Sequence, residues 1–561
     1  MLYRTAVLLL LGIVLLATTI DKKNTTLEKI LLTHIDVAMD DVKMLEHKPN
    51  LKRLTRLRSQ ILTLSWTFAP LQLEEAAASI NNNKYNIEQA VCGANVGLLQ
   101  LWEKELLEEK KIVTKDFETF HSFLQLFKSK IQNHDWQDRE IFTALLLDHY
   151  NLYVEVLSGS HHFQTKQVSE DYKKVLYFHS LILESIGKRE ELNSDYKKLS
   201  RVVGKQKFED IDRVELLKKH IQPIHNQLIV LIGNDAPEWA DHLNLDQEFF
   251  SGNWLRSEAF IDVNENLDSQ KLAQLGQLLF FDPLLSGNDK RTCASCHQAQ
   301  KAFSDGRSTS LGFDYLSKLE KNSPSLINSI FNYQFGHDLS KTNLAEQIDF
   351  VVHQAQEFRT TYAEIIQKLN TSSEYIQLFE ECFPDKRRLD STQINQALEA
   401  YLGTLVSFES PFDRFMRDET ELNSTALEGY KLFMGKAQCG TCHQAPLFSG
   451  LNATTTQKVQ NYACEEIIKV KTPSVRNLQF TMPYFHRGTL NSQEDLFEHL
   501  FNNVKQNIHS NNLLTSTEQQ KVVAFLESLN DKSAVNFDTP KRLPKVEKTL
   551  NKMERRAGGI Y

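Results

Sequence analysis

Two five-residue strings carry the most specific chemistry in this chain: Cys293-Ala294-Ser295-Cys296-His297 and Cys439-Gly440-Thr441-Cys442-His443. Each is a C-x-x-C-H. At that spacing two thiols can add across the vinyl groups of a porphyrin while the adjacent imidazole reaches the iron as its proximal ligand. A thioredoxin-type dithiol has no use for the histidine. A zinc site needs four ligands at knuckle or finger spacing, and these two strings lie far apart in the chain. The strings predict a c-type cytochrome with two covalently bound haem c groups, the cofactor bound by Cys293, Cys296, His297, Cys439, Cys442 and His443.

The elements that must position these residues are helical. At 561 residues the chain exceeds what one core organises, and two to four domains are expected. Hydrophobic residues make up 41% and charged residues 24%, an ordinary globular balance, and the net charge of −8 provides no field that would favour nucleic acid. Residues 1–20 open with Met1-Leu2-Tyr3-Arg4 and an apolar run from Ala6 to Ala17, which reads as a signal peptide or a retained anchor. The run is short for a membrane span, and no clear small-x-small cleavage site follows it. Export to the periplasm suits haem c, which is attached outside the cytoplasm. Cys92, Cys382 and Cys464 remain after the haem strings, an odd number that argues for buried or free thiols over a disulfide framework.

Residues 21–250 show helical periodicity. Phe117, Phe120, Leu124 and Phe127 share one helix face, as do Val96, Leu99, Leu106 and Leu107, and further apolar groups lie at 141–147 and 175–178. The histidine pair His161-His162 reads as solvated. The fold class expected is mainly α: an N-terminal helical bundle followed by two cytochrome c-like haem domains. Their boundaries are 21–250 for the bundle, 251–425 for the first haem domain, 426–535 for the second and 536–561 for a basic tail. Pro237 to Asn264 reads as a linker. The tail, with Arg542, Lys545, Arg555 and Arg556 among its cations, reads as a solvated, partly disordered end.

From Leu275 to about Asn530 the chain resembles the bacterial dihaem cytochrome c peroxidases, a family that includes the dihaem enzyme maturing a tryptophan-derived quinone cofactor. The resemblance is carried by Leu275-Gly276-Gln277-Leu278-Leu279-Phe280-Phe281-Asp282-Pro283 before the first haem string and Phe303-Ser304-Asp305-Gly306 after it. Asn322-Ser323-Pro324-Ser325-Leu326-Ile327-Asn328, Ser410-Pro411-Phe412-Asp413-Arg414 and Gly429-Tyr430-Lys431-Leu432-Phe433 follow. Thr472-Pro473-Ser474-Val475-Arg476-Asn477 and Pro483-Tyr484-Phe485-His486 complete the set after the second string. The resemblance implies a periplasmic peroxidase that reduces hydrogen peroxide to water with electrons from a small donor cytochrome or cupredoxin, and it admits a homodimer. His297 then ligates the iron of the peroxidatic haem, and His443 that of the electron-transfer haem. Glu357 matches the family's distal acid–base glutamate and Gln347 its distal glutamine. Such a base takes a proton from bound peroxide and returns it to the leaving oxygen.

The resemblance also implies a calcium ion between the haem domains, held by Asn322 and the carbonyls of Thr481 and Pro483. Several positions depart from the family pattern. No histidine lies between His297 and Asn322, so the first haem is expected to rest open, without the capping imidazole some members carry. His337 stands where the family commonly has a tryptophan between the haems. Leu500 stands at the far-face ligand position of the second haem, leaving His499 as the leading substitute for iron, with Met482, Met434 or an open site as alternatives. Arg487 follows His486 where an aspartate is usual. Two other readings use the same features: an oxidase of a protein or organic substrate, and a non-enzymatic dihaem electron-transfer protein.

Overall fold

The computed structural model describes residues 26–64, 114–158, 166–187, 189–205, 211–233, 242–261, 267–332, 334–450, 456–458, 467–469, 471–507, 514–546 and 555–559. Expectations for residues 1–20, Cys92, the Val96–Leu107 face, His161-His162 and Cys464 lie outside the described residues. The chain is mainly helical. Among the described residues the only strands are Thr456–Lys458 and Ile467–Lys469, paired antiparallel. The chain divides into two compact units, Met1–Pro237 and Glu238–Tyr561, and both haem strings fall in the second.

The second unit is built from one motif used twice. The helix Ser269–Phe281 leads to the first haem string and is crossed by the helix Ser391–Gly403; Ser424–Met434 leads to the second string and is crossed by Ser516–Ser528. A glycine sets each crossing. A methyl group on Gly276 would overlap the Ala397 carbonyl oxygen, and one on Gly429 would overlap that of Lys521. After each string comes a Ser/Thr-Pro-Ser run ending in an asparagine with positive φ, Asn328 at 59° and Asn477 at 60°. Asparagine tolerates that conformation through local hydrogen bonding. Here Asn328 donates to the Ser407 carbonyl at 3.1 Å and accepts from its N–H at 2.9 Å, while Asn477 accepts from Asp531 N–H at 2.8 Å. A buried ion pair joins two more of the family motifs: Arg476 reaches both Asp413 oxygens, at 2.6 and 2.8 Å, and stacks over Phe408.

Two segments differ from their sequence reading. Within the stretch read as a linker, Leu243, Leu245, Phe249, Phe250 and Trp254 are buried. Phe250 packs edge-on against Phe412, and its carbonyl accepts from Arg417 at 2.7 Å. The apolar content of this stretch outweighs its turn residues, and the chain divides earlier, at Pro237. The tail is not a solvated end where it is described. Arg555 binds Asp282, a fully buried acid at the end of the Ser269–Phe281 helix, at 2.9 Å, and Tyr375 donates to the same carboxylate at 2.6 Å. Gly558 N–H then donates to the Phe281 carbonyl at 2.8 Å. A buried carboxylate requires a cation, and the tail supplies it.

The first unit is an all-helical body. The helix at 26–47 buries Leu27, Leu31, Ile35, Ala38, Val42 and Leu45, a stripe of three- and four-residue spacing. The Thr114–Gln132 helix buries Phe117, Phe120, Leu124 and Phe127, the face its spacing predicts. Three imidazoles, His149, His179 and His225, lie in the interior. His149, on the Asp138–Ser158 helix, bonds the Ile221 carbonyl at 2.8 Å, where the Leu217–Ile221 turn is widened to π geometry. His179, on the Lys166–Ser185 helix, meets Asp148 at 3.1 Å, and the Tyr196 ring packs edge-on against both histidines. Burial pulls the His149 pKa down to about 3. Below about pH 6.5 the unfolded chain therefore takes up a proton that the folded bundle refuses. Stability of this unit should fall as pH drops through the window between those two values, with His149 contributing up to about 1.4 kcal/mol per pH unit. Hydrogen exchange of the Asp138–Ser158 amides at pH 7 and pH 4.5 measures this. Equal protection at both would contradict a neutral buried imidazole.

Candidate functional site

Each haem string is a single 3₁₀ turn, Cys293–Ser295 and Cys439–Thr441. The histidine N–H closes back on the first cysteine's carbonyl, at 3.0 Å for His297 and 2.9 Å for His443. That turn places two thiols and an imidazole on one compact loop. The four cysteine sulfurs form no disulfide. His297 Nδ1 donates to the Phe303 carbonyl at 2.9 Å, with Ser323 Oγ beside it at 3.2 Å, and His443 Nδ1 donates to the Pro473 carbonyl at 3.0 Å. With Nδ1–H committed, the lone pair sits on Nε2, the atom an iron would take. Burial lowers the pKa of both rings, favouring the neutral form that ligates metal. Among the described residues no group of three or more His, Cys, Asp or Glu could hold a bare metal ion. The donor set fits a haem attached at each string.

Gln347 lies on the Leu344–His353 helix, whose N-terminus is capped by Asn343, and Glu357 lies in the turn that follows. That turn is held by Glu357 N–H to the Gln354 carbonyl at 2.9 Å and Arg359 N–H to the same oxygen at 3.1 Å. Gln347 Oε1 is buried and accepts no hydrogen bond among the described residues, leaving an acceptor for a ligand. Burial raises the Glu357 pKa, while the Arg291 guanidinium opposes the shift. The Glu357 charge in turn acts on the Cys293 thiol, so the structure brings this carboxylate to the first haem string. Arg291 was not singled out by the sequence. It is 2% exposed, donates to the Leu311 carbonyl and lies 3.6 Å from Cys296 Sγ. Its place two residues before Cys293 was the available signal.

His499 lies on the exposed side of the Gln493–Asn507 helix, its ring edge-on to Phe485 with centroids 5.1 Å apart. Leu500, Met482 and Phe485 are also exposed. Met434, by contrast, is buried with its sulfur against Gly440, inside the attachment turn. Asn322 donates through Nδ2 to the Arg307 carbonyl at 2.6 Å, and its main-chain N–H donates to the His486 carbonyl at 2.7 Å. This places Asn322 against the loop that carries Thr481 and Pro483. Cys382 is buried, free and remote from both strings in sequence.

The family model for di-haem cytochrome c peroxidase matches residues 270–421. The cytochrome c551 peroxidase of Nitrosomonas europaea is 30% identical over 308 residues, spanning 50% of this chain and 88% of that protein. This chain belongs to the dihaem cytochrome c peroxidase family. The methylamine utilization protein MauG of Methylorubrum extorquens is 28% identical over 316 residues, covering 53% of this chain and 89% of that relative. The cytochrome c551 peroxidase of Pseudomonas aeruginosa is 29% identical over 284 residues, covering 47% and 80%. Membership brings two covalently bound haem c groups and a peroxidase-type oxidoreductase activity.

With one haem per string, replacing both Cys439 and Cys442 by Ser should leave a chain whose intact mass carries one haem, and the Cys293/Cys296 pair should behave the same way. Loss of neither or both groups in either variant would contradict the one-string, one-haem assignment.

Proposed function

We propose that this protein reduces hydrogen peroxide to water outside the cytoplasm, with electrons delivered by a small cytochrome or cupredoxin. In this reading Cys293, Cys296 and His297 hold the peroxidatic haem, and Cys439, Cys442 and His443 the electron-transfer haem. The observation that carries the reading is a half-buried carboxylate, Glu357, its pKa raised by burial, within electrostatic reach of Cys293 in the first haem string.

Haem supplies an iron that binds peroxide and passes electrons, and the side chains supply the rest. The hydrogen bond from His297 Nδ1 to the Phe303 carbonyl orients the ring and raises its basicity as a ligand. Glu357, its pKa raised by burial toward the working pH, takes the proton of one peroxide oxygen and delivers it to the other as the O–O bond breaks. Gln347 Oε1 accepts a hydrogen bond from the peroxide and holds it for that transfer. The balance is H2O2 plus two electrons and two protons giving two water molecules; the electrons come from the donor protein and the protons from solvent. With no histidine between His297 and Asn322, that loop offers no capping imidazole, and the haem held at the first string would take peroxide without prior reduction. His499 would supply a second imidazole to the haem held at Cys439, Cys442 and His443. Asn322 with the Thr481 and Pro483 carbonyls offers hard oxygen ligands to calcium, a reading supported by the hydrogen bond that holds Asn322 to the His486 loop.

Glu357→Gln should slow peroxide turnover by about 10²–10⁴-fold, the usual contribution of a general acid–base group, with haem content unchanged. Turnover within about twofold of wild type would remove Glu357 from the mechanism.

A further inference from the structure

Arg291 is a buried cation that the chain leaves unpaired. It is 2% exposed and stands two residues before Cys293. Its Nη2 donates to the Leu311 carbonyl and lies 3.6 Å from Cys296 Sγ. Its Nη1 is buried and meets no hydrogen-bond acceptor among the described residues. No carboxylate among them pairs with it either. The acids nearest in sequence are engaged elsewhere: Asp289 with Lys368, Asp282 with Arg555, and Asp305 with Ser310 Oγ and the Arg307 N–H.

The guanidinium is held in place from both sides. Asn288 Oδ1 accepts from the Arg291 N–H at 3.1 Å, and Asn288 Nδ2 donates to the Phe313 carbonyl at 3.2 Å. One side chain thus ties the approach to the first string to the loop that receives Arg291. That loop is closed by the Leu311–Lys318 bridge and by Gly312 N–H to the Ser317 carbonyl at 2.8 Å. It sets the Tyr315 ring 5.6 Å from the guanidinium, with Tyr315 in the left-handed conformation at φ 59°. A bulky residue keeps that conformation only where its surroundings hold it. The same loop reaches the Glu357 turn, where Arg359 stacks over the Phe313 ring at 4.5 Å.

A buried cation is stable only with an anion in reach. The group that Cys296 Sγ carries supplies one. Attachment through the vinyl groups leaves both propionate carboxylates of a haem c free, so the bound haem is net negative, and more so with ferrous than with ferric iron. We propose that Arg291 is the fixed counter-charge of the haem held at Cys293–His297, and that it raises that haem's reduction potential by favouring the ferrous state. It acts through its charge beside the thioether sulfur, in an interior where a charge is felt more strongly than in water. The proposal rests on the assignment of a haem to the first string. For a haem that must be re-reduced after each peroxide, a more positive potential eases the arrival of the electron.

The test is a spectroelectrochemical titration of the holoprotein at about pH 6, where a lysine put in this place keeps its charge. Haem content is counted by the pyridine haemochromogen assay. In Arg291→Met the midpoint potential of one haem should become more negative while the other stays fixed. Arg291→Lys, which keeps the charge, should return most of that shift. The haem that shifts should be the one retained when Cys439 and Cys442 are both replaced by Ser. If the Met variant matures poorly, Arg291→Gln repeats the measurement with a neutral polar side chain. Two haems per chain with both midpoints unmoved would overturn the proposal, as would equal shifts of both. A shift that Arg291→Lys fails to reduce, or one confined to the haem lost with Cys439 and Cys442, would overturn it too. A wild-type count other than two haems would instead strike the haem assignment on which it rests.

Discussion

Each proximal histidine must present Nε2, and each does so because Nδ1–H is spent on a backbone carbonyl, Phe303 for His297 and Pro473 for His443. A carbonyl can serve this way only if its loop returns to the haem turn at a fixed distance. Much of the second unit follows from that requirement. Gly276 and Gly429 let paired helices cross closely enough to fix where each loop starts. Asn328 and Asn477, in the left-handed conformation, turn the chain after each Ser/Thr-Pro-Ser run and anchor it to Ser407 and Asp531. The Arg476–Asp413 pair, buried at both ends, ties the second of these runs to the Ser410–Arg414 turn.

Three interior carboxylates of this unit find their partners within the chain. Asp282 has Arg555 and Tyr375, Asp413 has Arg476, and Asp531 accepts from Ser407 Oγ and Glu409 N–H. Breaking one such pair leaves an uncompensated buried charge, at a cost of about 3–5 kcal/mol. The same logic separates Glu357 from the structural acids: burial raises its pKa, and Arg291 offsets the shift only in part.

What the sequence showed depended on how local the signal was. The two C-x-x-C-H strings are contiguous and chemically specific, and Phe117, Phe120, Leu124 and Phe127 announce a helix face by spacing alone. Glu357 and Gln347 could be put forward only through the register of family motifs, since one carboxylate among 72 acidic residues carries no mark of its own. The tail was misread because Arg555 looks like one more surface cation until Asp282, far earlier in the chain, is placed beside it. The 242–256 segment was misread because its turn residues were weighed and its five buried apolar side chains were not. The repeat within the second unit escaped notice because its two copies share geometry, a close-crossing glycine and a left-handed asparagine, more than residue identity. Arg291 was silent because burial, not residue type, distinguishes it.

The division of labour between the two haems is the central claim, and EPR of the fully oxidised holoprotein reads it most directly. An open first haem beside Glu357 and a second haem capped by His499 predict one high-spin and one low-spin ferric signal, with peroxide altering the high-spin signal before any reductant is added. Two low-spin signals, unchanged by peroxide until one haem has been reduced, would contradict the account.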